Sequence, residues 1–365
     1  MNILILGGRA PVALHLARIL SMHNVFIADS VILAKNSRAI KESFKIVSKP
    51  NKDIEAYLKE INNIIRKNKI YLVIPTCEET IYISMIRNRL ECNVLVDDSK
   101  KILTLHNKFE FINLCEELGL KTPKTELYRK DSSIEINNKS IIKPVFSRFG
   151  TFVKVINNIN EVVINEDNKY IIQEFIKGQQ YCTYSLVKDG EILLHVNYKT
   201  KHAIGMGTSI YYEYFESSGL KEIVSKIVKE LNFSGQIAFD FIKLGDNFYL
   251  IECNPRSTSG LTLIPYDTDI VEAFINGEKI EIDSFTITSM KVNMFLIGMF
   301  KGKFLNKEYR NDYKKSRDIV YENKDKRPFL NQFWLVIYFF TLSLVYRRSI
   351  TGITTFDIEY NGDEV

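Results

Sequence analysis

The stretch Ile237 to Gly260, IAFDFIKLGDNFYLIECNPRSTSG, concentrates side chains that could bind a hard cation and a phosphate. Ala238 to Ile242 sets bulky apolar residues around Asp240, Gly245-Asp246-Asn247 supplies a turn, and Phe248 to Asn254 returns as a second strand. Side chains alternate across a strand, so Glu252 and Asn254 share a face, and Asp240 can lie opposite them on the neighbouring strand. Two carboxylates and an amide oxygen form the hard-oxygen set that Mg²⁺ takes together with water and substrate phosphates. Arg256, just behind Pro255, adds a planar and permanently charged fork suited to a phosphate oxygen that gains charge during phosphoryl transfer. The plainer alternative is a surface hairpin with its acids in solvent, and the crowding of acids, Asn and Arg into one unit weighs against it.

The run Glu252-Cys253-Asn254-Pro255-Arg256, with Asp240 on the preceding strand, resembles the metal-binding hairpin of ATP-grasp enzymes, particularly the carbamoyl phosphate synthetase-like branch. The resemblance extends over roughly residues 100 to 265, with a weaker echo in the first hundred, and its short motifs come in the expected order. It implies a mixed α/β and α+β architecture. An N-terminal Rossmann-like (pre-ATP-grasp) domain would span 1–100, and a two-lobed ATP-grasp fold 101–275, with a small lobe at about 120–175 and a large lobe at about 176–275. A C-terminal extension would cover 276–365. The cofactors implied are ATP and Mg²⁺, with Mn²⁺ as an alternative, held at Asp240, Glu252 and Asn254.

Two lysines stand in awkward places for ordinary lysines. Lys108 begins the helical pattern KFEFINLCEEL, where its charge opposes the helix dipole, and Lys143 lies inside the apolar run Ile141-Ile142-Lys143-Pro144, where it must find an anion or snorkel. The resemblance makes both of them phosphate ligands. It also places the loop Phe146 to Thr151 over the phosphates, with Ser147, Arg148 and Gly150 as contacts. Many relatives carry more glycine there, so Arg148 would contribute charge where their backbone cradles. Tyr170 to Gly178 corresponds to the hinge between lobes, the backbone of Phe175 and Ile176 meeting the adenine edge and Glu174 binding ribose. On its own the segment reads as a strand and a turn. Gln180 stands where relatives often have Glu, and it can bond a hydroxyl but supplies no charge.

The first hundred residues alternate strand and helix: a buried-type strand at Asn2 to Leu6, a turn at Gly7-Gly8-Arg9-Ala10-Pro11, a helix at Val12 to Leu20 and a strand at Val25 to Ala28 ending at Asp29. Asp29 invites a ribose contact, yet G-x-G-x-x-G is missing, and the glycines are more simply explained by the fold. A helix at Ile54 to Lys67 and a strand at Ile70 to Ile74 follow. Glu78 and Glu79 then sit at a strand's carboxyl end, where open α/β sheets place ligands. They can grip an amino group or simply complement the dipole of the helix Thr80 to Leu90, and the sequence does not choose.

Farther on, Tyr181 to Leu186 and Ile192 to Tyr198 pair as a hairpin. Lys199, Lys201 and His202 lead into a glycine-rich loop at 203–208, a place for an acyl phosphate or acceptor carboxylate, with His202 as general base a lesser reading than simple exposure. Leu220 to Leu231 is a helix, Thr262 to Ile275 packs back on the core, and 284–312 mixes short strands with charged turns. Pro328 to Tyr346, PFLNQFWLVIYFFTLSLVY, nears membrane-spanning length but is interrupted by Asn331, Gln332, Thr341 and Ser343. A buried terminal helix is the first expectation, and attachment to a membrane surface through the flanking basic residues the second.

A chain of 365 residues with 45% hydrophobic and 25% charged residues is globular and large enough for two or three modules. The net charge of +5 is dispersed, giving no support to nucleic-acid binding. Five separated cysteines without a CxxC pair read as reduced thiols, and with no signal peptide visible the expected location is cytoplasmic.

The function these features imply is an ATP-dependent carboxylate-amine ligase that forms an amide or peptide bond through an acylphosphate. Its substrates would be small acids and amines of the amino-acid kind, and a homodimer is compatible with the sequence. Two alternatives are an NAD-dependent oxidoreductase built on Gly7, Gly8 and Asp29, and a protein that binds ATP for sensing or assembly without turnover.

Overall fold

The computed structural model describes residues 1–128, 139–148, 153–157, 169–204 and 208–362. Strands β1 (Asn2–Leu6), β2 (Asn24–Asp29), β3 (Glu42–Lys45), β4 (Leu72–Ile74) and β5 (Asn93–Val94) form a sheet in the order β3-β2-β1-β4-β5, with every pairing parallel. Alternation sends Leu4 and Leu6 into one core and Ile3 and Ile5 into another, which explains why β1 is apolar throughout. Helices α1 (Pro11–Ile19), α2 (Ile54–Asn68) and α3 (Glu79–Ile86) accompany these strands. In α2 the apolar positions Tyr57, Leu58, Ile61 and Ile65 recur at helical spacing on the buried side, and the Asp53 carboxylate caps the Ala56 N–H.

Helices α4 (Ser99–His106) and α5 (Lys108–Glu117) lead to the second sheet. It comprises β6 (Thr125–Leu127), β7 (Ser140–Pro144), β8 (Lys154–Ile156) and β9 (Tyr170–Glu174), in the order β6-β9-β7-β8. The third sheet contains β10 (Gln179–Lys188), β11 (Glu191–Ile204), β12 (Thr208–Tyr214), β13 (Gly235–Leu244), β14 (Asn247–Asn254), β15 (Thr288–Ser289) and β16 (Arg317–Asp318). Their order is β14-β13-β10-β11-β12-β15-β16. Gly178 leads into β10 where a Cβ would lie 2.1 Å from the Lys243 carbonyl oxygen, so only glycine lets this strand approach β13 closely. Helix α6 (Ser218–Glu230) buries Leu220, Val224, Ile227 and Val228 in the core shared with β13 and the N-terminal sheet.

The sequence reading and the structure part company after residue 275. Helix α7 (Ile270–Asn276) packs Ile270 and Val271 into the core as expected. Residues 284–312, expected to mix short strands with charged turns, hold the short strand Thr288–Ser289 but also α8 (Lys291–Phe300) and the start of α9 (Lys307–Lys315), the latter capped by Asn306. The apolar run of α8 has helical spacing, burying Met294 and Gly298 a turn apart, and was mistaken for strand because it is short. Strands β15 and β16 extend the third sheet, so the C-terminal residues do not stand apart from it. Helix α10 (Arg327–Tyr346) forms as predicted, but it is not buried: among its residues only Pro328 and Phe339 are. After α11 (Ile350–Ile353) the chain returns to the N-terminal sheet. There Arg9 pairs with both Asp29 and Asp357, and the Tyr82 hydroxyl donates to the Glu359 carbonyl at 2.7 Å.

Candidate active site

The hairpin β13–β14 pairs Asp240 directly with Glu252 and Ala238 with Asn254, with a bulge just beyond Asp240. The two carboxylates therefore face the same way. Helix α5 lies against this hairpin, the Phe111 and Phe239 rings stacking at 5.9 Å. Asn107 caps α5 by accepting from the Phe109 and Glu110 N–H groups at 3.0 and 3.1 Å. Lys108, in the first turn, is thereby carried into the interior with 4% exposure. Its Nζ lies 3.7 Å from the Glu252 carboxylate and donates to the Ser147 carbonyl at 2.9 Å. Lys143, on β7 of the second sheet, is equally buried and within electrostatic reach of Glu252, Lys108 and Asp240.

The charges explain one another. Burial lowers the Lys143 pKa to about 8, with Glu252 opposing the shift and Lys108 adding to it. Burial likewise lowers Lys108. Glu252 is only half-buried, and the two lysines outweigh its desolvation and hold its carboxyl below the ordinary range. Asp240 takes the other course: burial and the Glu252 charge push it up to about 7. Asp240 is thus driven towards its neutral form by the carboxylate beside it, a repulsion that a cation between the two would relieve, and as hard-oxygen donors the residues fit Mg²⁺ or Mn²⁺. The Asn254 amide oxygen accepts from Arg256 Nη2 at 3.0 Å and has a second lone pair to offer a cation.

Arg256 is fixed by a partner from the N-terminal sheet, its Nε donating to Glu78 at 2.9 Å. Burial works against the Glu78 charge, but Arg256 overcomes it and holds the carboxyl low. Glu78 thus orients the arginine through Oε1, while its Oε2, with no hydrogen bond among the described residues, belongs to the cavity edge. Glu79 turns the other way, its Oε1 accepting from the Thr76 and Cys77 N–H groups beneath the Gly7 turn. His106 was not recognised in the sequence. Buried at 3% exposure and 3.7 Å from Glu78, it is kept neutral by burial, its pKa lowered to about 4.

Other expected contacts fall in several places. Ser147 touches the site through its carbonyl, bonded to Lys108. Arg148 points to the C-terminal segment, paired with Glu359 and donating to the Thr355 hydroxyl at 3.0 Å. Gly150 and residues 205–207 lie outside the described residues. On the hinge, Glu174 is exposed and Ile176 buried, and the Phe175 N–H already donates to the Lys139 carbonyl at 3.2 Å. Gln180 lines the cavity beside Asp240 and accepts from Thr200.

Lys199 and Lys201 do not reach the cavity. Strand alternation sends them to the opposite face, where they pair with Glu213, Glu308 and Asp312, and it is Thr200 between them that faces inward. His202 is held by Asp312 at 2.9 Å. Asp29 accepts from the Arg9 backbone and side chain and from the Ser30 N–H, so the residue that invited a ribose contact is already committed.

Next to the carboxylates opens a cavity of about 280 Å³, floored by Cys182, Tyr198, Tyr212, Met290 and Ile319 and edged by Thr76, Glu78 and Arg256. Cys182 is the register partner of Asp240 and Tyr198 the partner of Cys182. Following the alternation from Asp240 across two strands would have found both. Gly260 lets the floor close up, since a Cβ there would lie 2.6 Å from Tyr184 and Tyr198.

Two carboxylates on a hairpin of the third sheet are thus faced by buried lysines from α5 and from the second sheet. Residues 105–260 match the family model described as the ATP-grasp domain, and this chain carries that domain. An uncharacterized protein of Methanocaldococcus jannaschii is 26% identical over 174 residues, which are 45% of this chain and 44% of that one. The carbamoyl phosphate synthase large chain of Sulfurisphaera tokodaii is 23% identical over 270 residues, 67% of this chain but only 25% of its own length. This chain therefore spans less than half of either relative. Among solved structures, N5-carboxyaminoimidazole synthetase of Staphylococcus aureus superposes with a TM-score of 0.62 at 15% identity, over 82% of this chain and 86% of that one. The L-amino acid ligase of Bacillus licheniformis gives 0.57 at 15% identity, over 71% and 68%. These likenesses establish a shared fold.

Proposed function

We propose that the protein is an ATP-dependent carboxylate-amine ligase. The observation that carries this reading is the meeting of the paired carboxylates Asp240 and Glu252 with the buried Lys108 and Lys143 in one cluster. Lys108 and Lys143 would hold the ATP phosphates, and Asp240, Glu252 and Asn254 would hold Mg²⁺. A bound Mg²⁺ neutralises phosphate oxygens and offsets the charge that spreads over them during transfer. Arg256, locked by Glu78, presents donors at the cavity edge.

A substrate carboxylate oxygen attacks the γ-phosphorus in line, the bond to the β-phosphate oxygen breaks, and ADP leaves. An amine nitrogen then attacks the acyl carbon of the acylphosphate, phosphate departs, and the nitrogen loses a proton to leave an amide. The protein contributes alignment and fixed charge, so neither step needs a nucleophilic side chain. The cavity is small, with an apolar floor, and suits an acid or amine of amino-acid size. We assign the N-terminal parallel sheet to substrate holding in the manner of a pre-ATP-grasp domain, since it supplies Glu78 and the cavity edge at Thr76.

The test is ADP release against a panel of carboxylates and amines, repeated with Glu252→Gln. Turnover that needs both an acid and an amine and collapses in the variant supports the reading. ATP binding without ADP release for any pair supports the sensing alternative, and turnover indifferent to Glu252 rejects the mechanism.

A further inference from the structure

Helix α10 leaves most of its circumference uncovered. Its inner side, Pro328, Asn331, Leu335 and Phe339, has the spacing of a docked face. The outer side exposes Leu330, Phe333, Trp334, Ile337, Leu344 and Val345, and Trp334 is 73% exposed. Between Pro328 and Tyr346 there is no Asp, Glu, Lys or Arg. A monomer in water does not ordinarily carry so long an uncharged apolar strip, so something covers it.

Both ends of the helix are tied to the same body, which limits what that can be. At the start, Asn331 Nδ2 donates to the Leu33 and Lys35 carbonyls at 3.0 and 2.7 Å. At the end, the Tyr346 ring lies 5.2 Å from that of Phe356, whose carbonyl accepts from the Asn51 amide at 2.8 Å, and the next residue, Asp357, pairs with Arg9. A helix anchored at both ends to turns that flank the N-terminal strands lies along that unit and cannot carry its ends to opposite sides of a bilayer, although its 20 residues, about 30 Å, are long enough to span one.

Charge at the ends then distinguishes a lipid surface from a second copy. Lys324, Lys326 and Arg327 are exposed at one end and Arg347 at the other, beside Arg348, which pairs with Glu359. The neighbouring Asp325 points inward to Arg18 at 3.1 Å. Two copies packed along this helix would set basic end against basic end in either direction. Anionic headgroups would meet both ends favourably while the strip between enters the acyl region.

We propose that the outer face of α10 is an in-plane docking surface for an anionic lipid membrane, entering one leaflet without crossing it. Trp334 is the only tryptophan in the chain and reports on the contact directly. The full chain is titrated with vesicles of phosphatidylcholine alone and of phosphatidylcholine with phosphatidylglycerol in equal parts. Expected are a blue shift of Trp334 emission, quenching by lipids brominated on the acyl chain, and about tenfold tighter binding to the anionic vesicles.

Phe333→Ser with Ile337→Ser and Leu344→Ser, which keep the probe, should abolish the shift without moving the unfolding midpoint. Lys326→Gln with Arg327→Gln should weaken the preference for anionic lipid, and Arg347→Gln added to them should weaken it further. If Trp334 emission stays that of a water-exposed indole on both vesicle types the proposal is overturned. It is equally overturned if sedimentation shows a dimer in which Trp334 is shielded before any lipid is added.

Discussion

Asp240 and Glu252 face each other across one strand pair, yet their proton affinities diverge, because Lys108 and Lys143 stand nearer in effect to Glu252 while Asp240 meets mainly its neighbour's charge. Side-chain types and strand alternation made this pair readable from the sequence, and the two lysines were readable as charges in the wrong place. What the sequence could not show was pairing between distant segments. Glu78 and Arg256 are 178 residues apart, and no local rule joins them.

That pair makes a prediction at this scale. Arg256→Ala should lower ADP release about 10²- to 10³-fold, as loss of a preorganised donor does. Glu78→Gln should cost less and leave ATP affinity nearly unchanged, and the double variant should be no worse than Arg256→Ala alone, because one residue acts through the other. Independent, additive losses would show that Glu78 has a separate task.

Glu79 offers a second. Burial and the Asp29 charge raise it from 4.5 to about 7, so the folded state holds its proton more tightly than the unfolded chain. Its contribution is full below the ordinary value and is lost as pH rises through about 7, an amount of about 3 kcal/mol. Glu79→Gln should flatten that part of the pH dependence, matching the natural protein at about pH 4, below the unfolded value, and exceeding it once the pH is above the raised value. Denaturant unfolding at both ends of that window checks it, and an unchanged slope contradicts it.

At the scale of elements, hairpins and helix starts were legible because each carries its own turn or cap: Gly245 between β13 and β14, Asn107 before α5, Asp53 before α2. Where a segment draws its form from what it packs on, the sequence misled. The short apolar α8 is one case. The 199–202 segment is another, read as a loop although β11 runs on through Ile204 against β12. Lys199 and Lys201 consequently fell on the wrong face. The close approach of β10 to β13 gives this scale its prediction: Gly178→Ala should destabilise the fold by about 1–3 kcal/mol, because the new Cβ meets a backbone carbonyl that cannot move aside. Thermal unfolding measures it, and a neutral result would mean the strands part there easily.

Across the whole molecule, the ATP-grasp domain is not a free-standing unit. The C-terminal segment crosses back to the N-terminal sheet, where Arg9 balances Asp29 and Asp357 in the interior, and Glu359 holds both Arg148 and Arg348. Composition says nothing of such closure, since each partner reads alone as an ordinary surface charge. Arg9→Met strands two buried carboxylates and should cost about 3–5 kcal/mol, with Asp357→Asn recovering part of it in the double variant. The same return path makes α10 lie flat with its apolar side outward.

The account rests on one site in which hairpin carboxylates and buried lysines act together on MgATP. Calorimetric titration with ATP, with and without Mg²⁺, of the natural chain, Glu252→Gln and Lys143→Met tests this most directly. The account predicts Mg²⁺-dependent binding in the natural chain, loss of that dependence in Glu252→Gln, and affinity reduced about tenfold or more in Lys143→Met, the weight of one charge-assisted contact. Equal affinity and equal Mg²⁺ dependence in all three would contradict it.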